Sequence, residues 1–189
     1  MSHAKLLAPL PARRRRDATR SAPALVRLID EIDTACCADG AMVGDRLGGA
    51  LKDAAAQSGL LTAEQRLSQA GCYARPAIHG DPAGRFTIVA IVWGAGQFSP
   101  IHAHHAWCAY AVCEGDLQET LFAWDSTRGR AWASCTGIRS PGYGCYAPAG
   151  LDQIHRLGNP GPQPAISLHV YGVERERVGT HVNRVVQTA

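Results

Sequence analysis

The sequence predicts a mainly β fold, a small antiparallel barrel or jelly roll behind an N-terminal helical layer. Three observations predict it. From about residue 71, short apolar segments alternate with turn signals: Gly80-Asp-Pro, Gly94-Ala-Gly, Glu114-Gly-Asp, Arg128-Gly, Pro141-Gly, Pro148-Ala-Gly and Gly158-Asn-Pro-Gly. Strands at such spacing are those of an antiparallel sandwich or barrel. The run Phe86-Thr-Ile-Val-Ala-Ile-Val-Trp93 is apolar and β-branched, as a strand requires. Before residue 71 the apolar spacing is helical instead.

Taken in order, residues 1–21 read as a flexible, Pro- and Ala-rich terminus that carries Arg13-Arg14-Arg15-Arg16. Ser21-Ala-Pro starts a helix whose stripe is Leu25, Leu28, Ile29 and Ile32, with Asp30, Glu31 and Asp33 off it. Asp39-Gly40 ends it. Val43 to Ser58 reads as a second helix, weakened by Gly48-Gly49. Thr62 begins a short third one, with Gln65 placed three residues on for a reciprocal cap. The expected organisation is one domain over 22–189, helical over 22–70 and β over 71–189.

Composition narrows the function. A formal charge of +3 is too small to argue for nucleic acid, and no helix-turn-helix pattern accompanies the arginine run. No apolar run reaches the ~18 residues a membrane span needs. The seven cysteines form no CxxC pair and follow no disulfide framework, and no secretory signal is evident. A reducing cytoplasm, a monomer and cysteines used as small packing residues are expected.

The chemistry concentrates in Ser99-Pro-Ile-His-Ala-His-His-Ala-Trp-Cys-Ala-Tyr110. On a strand, His102 and His104 point to one face, ~7 Å apart along the chain, and can converge on one metal ion. His155 is the candidate third ligand. His105 belongs to the opposite face, and His79 and His181 have no metal rationale. Ligand type leaves zinc, iron, copper and nickel open. Near the end, Ser167, His169 and Tyr171 alternate with apolar residues, so on a strand they too share a face. They suit a hydrogen-bonded relay in which His169 orients Tyr171 as an acidic hydroxyl.

Two patterns, Gly96-x5-His102-x-His104-x3-Cys108-x6-Gly115 and Gly142-x5-Pro148-x-Gly150-x4-His155-x3-Asn159, resemble the paired motifs of the cupin superfamily, β-barrels that hold a metal near the barrel mouth. Cys108 stands where many cupins place a glutamate ligand. Within the cupins the chain resembles the thiol dioxygenases, the cysteine dioxygenase family. The carriers are Tyr73-Ala-Arg75, Trp93-Gly-x-Gly96, Pro100-Ile-His-x-His104, Gly115-Asp-Leu-Gln-Glu-Thr-Leu-Phe122, His155-Arg-Leu-x-Asn159 and Ser167-Leu-His-Val-Tyr171.

The resemblance implies a mononuclear Fe(2+) held by His102, His104 and His155, with a small thiol and O2 as substrates and a sulfinate as product. It implies that Arg75, with Tyr73 beside it, grips the substrate carboxylate. The related 3-mercaptopropionate enzymes often carry glutamine there, so Arg75 points to cysteine first, with 3-mercaptopropionate and mercaptosuccinate next; the alternative is a different metal-dependent cupin, another oxygenase or a zinc hydrolase, with a non-catalytic sensor last. In mammalian-type members a cysteine of the first motif crosslinks to the tyrosine matching Tyr171. Cys108 offers that thiol one residue nearer the histidine pair.

Overall fold

The computed structural model describes residues 23–37 and 43–188. The arginine run, the start of the first helix at Ser21 and the Asp39-Gly40 turn lie outside the described residues. Two helices, α1 (Pro23–Cys36) and α2 (Val43–Ala55), precede ten strands. The strands are β1 (Ala77–Gly80), β2 (Thr87–Trp93), β3 (His102–His104), β4 (Cys108–Glu114), β5 (Leu117–Asp125), β6 (Arg130–Arg139), β7 (Gly144–Ala147), β8 (Gly150–Gly158), β9 (Ala165–Tyr171) and β10 (Asn183–Val185). All seven turn signals fall between consecutive strands. The expected third helix is only a 3-10 turn, Glu64–Arg66. Its reciprocal cap forms, Thr62 N donating to Gln65 Oε1 at 2.9 Å and Gln65 N to Thr62 Oγ1 at 3.3 Å. No apolar stripe follows to extend it.

The strands make two five-stranded antiparallel sheets, ordered β1-β2-β9-β4-β7 and β10-β3-β8-β5-β6. This is the small antiparallel barrel or jelly roll that the sequence predicts. The first sheet is covered on both sides, so β2 and β9 are buried at every residue. Alternation divides their side chains. Ile88, Ala90, Val92, Leu168 and Val170 face the helices, packing against Leu28, Ile32, Leu47 and Leu51. Val89, Ile91, Trp93, Tyr110, Val112 and Tyr171 face the second sheet. Continuous apolar character in β2 reflects this double burial.

The helices are held by that apolar contact. Arg85 bridges Asp33 of α1 at 2.6 Å, but both side chains are about two-fifths exposed. Such a pair contributes under ~1 kcal/mol, whereas each buried Leu or Ile contributes roughly 1.5–3 kcal/mol. At the β4–β5 hairpin, Gly115 has φ +69°, and a Cβ there would lie 2.9 Å from the Ala165 side chain. Only glycine fits both constraints.

Candidate metal centre and substrate cleft

Register places the three histidines. His102 on β3 is the Cα partner of His155 on β8, and an irregularity between His102 and His104 sets His104 against Gly150. Directly paired residues of adjacent strands share a face, so three rings gather between the sheets. Ring centroids are 4.9 Å (His102–His104), 4.7 Å (His102–His155) and 5.2 Å (His104–His155) apart. One ligand nitrogen from each lies within 4.8 Å of the others. His105 is exposed, as expected for the other face.

Outer contacts orient two of these rings. His102 Nδ1 meets the Pro100 carbonyl at 2.9 Å, and His155 Nδ1 meets Glu119 Oε1 at 2.8 Å. Both rings therefore present Nε2. The Nδ1 of His104 is buried without a partner among the described residues. Burial, then the neighbouring His155 ring, lowers the pKa of His102 to about 3 and that of His104 to about 2. Three close imidazoles, two of them held neutral this way and all with a free nitrogen, fit a divalent transition metal. A set of positively charged groups would not.

The low values carry a prediction for the metal-free protein. The unfolded chain protonates these histidines near pH 6.5, whereas the folded rings resist down to about 3. The unfolded state therefore binds more protons in that window, and stability falls as pH drops from ~6.5. The melting temperature of metal-free protein should decline from pH 7 to pH 4.5 and lose most of that slope in H102N/H104N.

Glu119, which lies within the Gly115–Phe122 motif, joins the candidate site. It is almost fully buried on β5 and bonds both His155 and Arg139 Nε, each at 2.8 Å. Burial alone would raise its carboxyl, but these two bonds outweigh burial and hold it below the usual carboxylate range. The signal was present: an acid between Leu117 and Leu121 at an inward position. Outer-shell partners of metal-binding histidines are worth ~10–100-fold in affinity. E119Q, which keeps the shape and removes the charge, should weaken metal binding by that factor in a competition titration with a coloured chelator.

A second chain of bonds runs along β9. Trp93 Nε1 donates to Ser167 Oγ at 2.9 Å, Ser167 Oγ meets His169 Nε2 at 2.8 Å, and His169 Nδ1 meets the Tyr171 hydroxyl at 3.2 Å. The expected Ser-His-Tyr grouping forms, and Trp93 extends it. Burial lowers His169 well below the ordinary imidazole value and raises Tyr171 well above the ordinary phenol value, while Arg75 partly opposes the latter. Burial thus opposes the ionisation of the Tyr171 hydroxyl and favours its protonated form.

The histidines and Tyr171 open onto one cleft, which Tyr73, Arg75, Trp93 and Asn183 also line. Tyr73 packs on Trp93 with ring centroids 4.6 Å apart, and the Arg75 guanidinium lies 5.9 Å from the Tyr73 ring centre. Among the described residues Arg75 has no ion-pair partner. Cys108 is the Cα partner of Tyr171 across β4 and β9, and both are buried. The other cysteines depart from expectation: Cys36, Cys37, Cys72 and Cys135 are exposed, and only Cys113 and Cys145 pack against a core. No cysteine is in a disulfide.

The model of the cysteine dioxygenase type I family matches residues 69–178. The chain belongs to this family. Cysteine dioxygenase type 1 of Bos taurus is 31% identical over 116 residues, and that of Homo sapiens 30% over 114. Each alignment covers 56% of this chain and 56% of the relative, so the chain spans little more than half their length. Among solved structures, TT1209 from Thermus thermophilus superposes with a TM-score of 0.46 at 20% identity, over 60% of this chain and 96% of that one. The part matching the cysteine dioxygenase family holds the three histidines, Arg75, Glu119 and the Trp93–Tyr171 chain of bonds. Helices α1 and α2 and strand β10 lie outside it.

Proposed function

We propose that this protein is a thiol dioxygenase that converts a small carboxylate-bearing thiol and O2 to the sulfinate, with cysteine the first candidate. The observation that carries the proposal is the convergence on one cleft of three imidazoles, an arginine unpaired among the described residues and the end of the Tyr171 relay. In the reaction two S–O bonds form and the O–O bond breaks. Sulfur loses four electrons, which the two oxygen atoms gain, and the thiol proton leaves.

His102, His104 and His155 would hold Fe(2+). Bound there, ferrous iron supplies a lowered thiol pKa and the reducing power for O2. The rest is the work of the chain. Arg75 takes the carboxylate in a charge-assisted, forked contact, and Tyr73 closes the same wall. Glu119 and the Pro100 carbonyl hold two of the rings in one orientation. Trp93 Nε1–H occupies one lone pair of Ser167, whose hydroxyl donates to His169 Nε2. His169 then carries its proton on Nδ1 and donates it to the Tyr171 oxygen. The Tyr171 proton is left free to point into the cleft, toward the sulfur or the oxygen being added. Confinement of both reactants in one small cleft supplies proximity.

The test is O2 uptake by iron-loaded protein with L-cysteine, 3-mercaptopropionate and mercaptosuccinate in parallel, with mass detection of products. Addition of two oxygen atoms to one of them is expected. No uptake with any, despite bound iron, overturns the proposal. We further propose a monomer in a reducing cytoplasm, consistent with seven free thiols.

A thioether between Cys108 and Tyr171 belongs to the same proposal, supported by their pairing across β4 and β9. Forming it would make one S–C bond, break the Cys108 S–H and a ring C–H of Tyr171, and pass two electrons and two protons to O2, which leaves as hydrogen peroxide. Peptide mapping after turnover should find the two peptides joined and lighter by two hydrogens. An unmodified Tyr171 peptide removes the crosslink.

A further inference from the structure

We infer that Asn183 is a specificity-determining residue, which reads a second polar group on the thiol substrate. The inference rests on the thiol reading of the cleft. Asn183 lies outside the residues that match the family model, on the three-residue strand β10. Its Cα partner across β3 is His104. Paired residues share a face, so its carboxamide stands beside a candidate metal ligand and lines the same cleft.

The strand that carries it is pinned on both sides. His105 N donates to the Val182 carbonyl at 2.9 Å, Val186 N to the Ile101 carbonyl at 3.1 Å, and Ala131 N to the Gln187 carbonyl at 2.9 Å. Val182 is 1% exposed in the core between the sheets. Asn183 is therefore held in place by backbone bonds that leave its side chain unused. Among the described residues the carboxamide has no hydrogen-bond partner, whereas the nearby Thr180 and His181 bond each other. Two donors and an acceptor without partners, half-buried at the wall of a ligand cleft, form a recognition group.

The cleft geometry says what it recognises. Arg75 leads into the edge strand β1 of one sheet, and Asn183 sits on the edge strand β10 of the other. Both residues line the one cleft, so a substrate whose carboxylate lies on Arg75 has the Asn183 carboxamide in the same enclosure. Among the described residues, Arg75 is the one permanently charged group lining the cleft, and no carboxylate lines it. A neutral amide serves both kinds of second group: its oxygen accepts from an ammonium, and its nitrogen donates to a second carboxylate.

The test compares wild type, Asn183→Ala and the near-isosteric Asn183→Asp as iron-loaded full chains. The probes are L-cysteine (an ammonium), mercaptosuccinate (a second carboxylate) and 3-mercaptopropionate (neither). KM and kcat come from O2 uptake, and Kd from anaerobic calorimetry. Asn183→Ala should raise KM and Kd of a doubly substituted thiol about tenfold more than those of 3-mercaptopropionate. Asn183→Asp should favour L-cysteine and disfavour mercaptosuccinate. An equal change for all three probes, or none, overturns the inference. Absence of O2 uptake by wild type sinks the dioxygenase reading alone, because the anaerobic Kd ratios still decide the role of Asn183. If wild type binds none of the three, the inference falls as well.

Discussion

Arg75→Leu should raise KM for L-cysteine about 30- to 300-fold, with a smaller fall in kcat. A hydrogen bond to a charged group contributes roughly 1.5–3 kcal/mol, and a forked guanidinium–carboxylate contact makes two in parallel. Arg75 is exposed, which screens the contact and keeps the two bonds well short of twice that figure. Tenfold in affinity is ~1.4 kcal/mol, so the expected factor corresponds to about 2–3.5 kcal/mol. Cysteamine, a thiol amine with no carboxylate, is the control. Its kinetics should change by less than about threefold, because it never used the guanidinium. Arg75→Lys should recover only part of the loss, since an ammonium restores the charge without the fork. An L-cysteine KM that is unmoved in Arg75→Leu would show that the carboxylate is bound elsewhere in the cleft.

Much of the fold behind this site was legible because hydrophobic patterning and turn chemistry agree. Every turn signal named from the sequence separates two strands, and the stripe of α1 is the face that packs on the first sheet. The errors have local causes. Thr62 and Gln65 do form their cap, but a cap without an apolar stripe behind it yields only a 3-10 turn. Buried packing was expected of six cysteines, yet four stand exposed, because a cysteine carries no periodicity of its own outside a strong strand or stripe.

The site was legible to the extent that it lies on strands. Spacing of two put His102 with His104, and Ser167 with His169 and Tyr171, on shared faces. What spacing could not show was anything set by pairing between distant strands. The Trp93 indole reaches Ser167 because β2 and β9 are neighbours, with Ile91 opposite Ser167. Glu119 reaches His155 because Leu121 is the Cα partner of His155 and Glu119 lies two residues along on the same face. Asn183 is invisible in the sequence: three residues of strand carry no pattern, and only its register with His104 places it in the cleft.

Tyr171→Phe should retain iron and keep KM within about threefold while lowering kcat roughly 100-fold. The removed group is one hydroxyl proton, and a positioned proton donor contributes ~10²–10⁴-fold. The low end applies because burial makes this phenol a poor acid, so that it donates a hydrogen bond rather than a proton. A graded series separates this from a packing effect. Ser167→Ala leaves His169 and Tyr171 in place but frees the His169 tautomer, so its loss should be smaller, about three- to tenfold. Trp93→Phe keeps an aromatic against Tyr73 and removes only the bond to Ser167, so it should resemble Ser167→Ala. If the tyrosine acted by ionising, kcat of the wild type would change steeply toward alkaline pH and the change would vanish in Tyr171→Phe. A protonated donor makes the two profiles parallel. Cys108→Ser is the remaining control, because Tyr171→Phe also removes the partner of any thioether. Should Cys108→Ser lose as much turnover as Tyr171→Phe, the catalytic contribution belongs to the crosslinked pair. Near wild-type turnover assigns it to the hydroxyl and to the chain of bonds that leaves its proton facing the cleft.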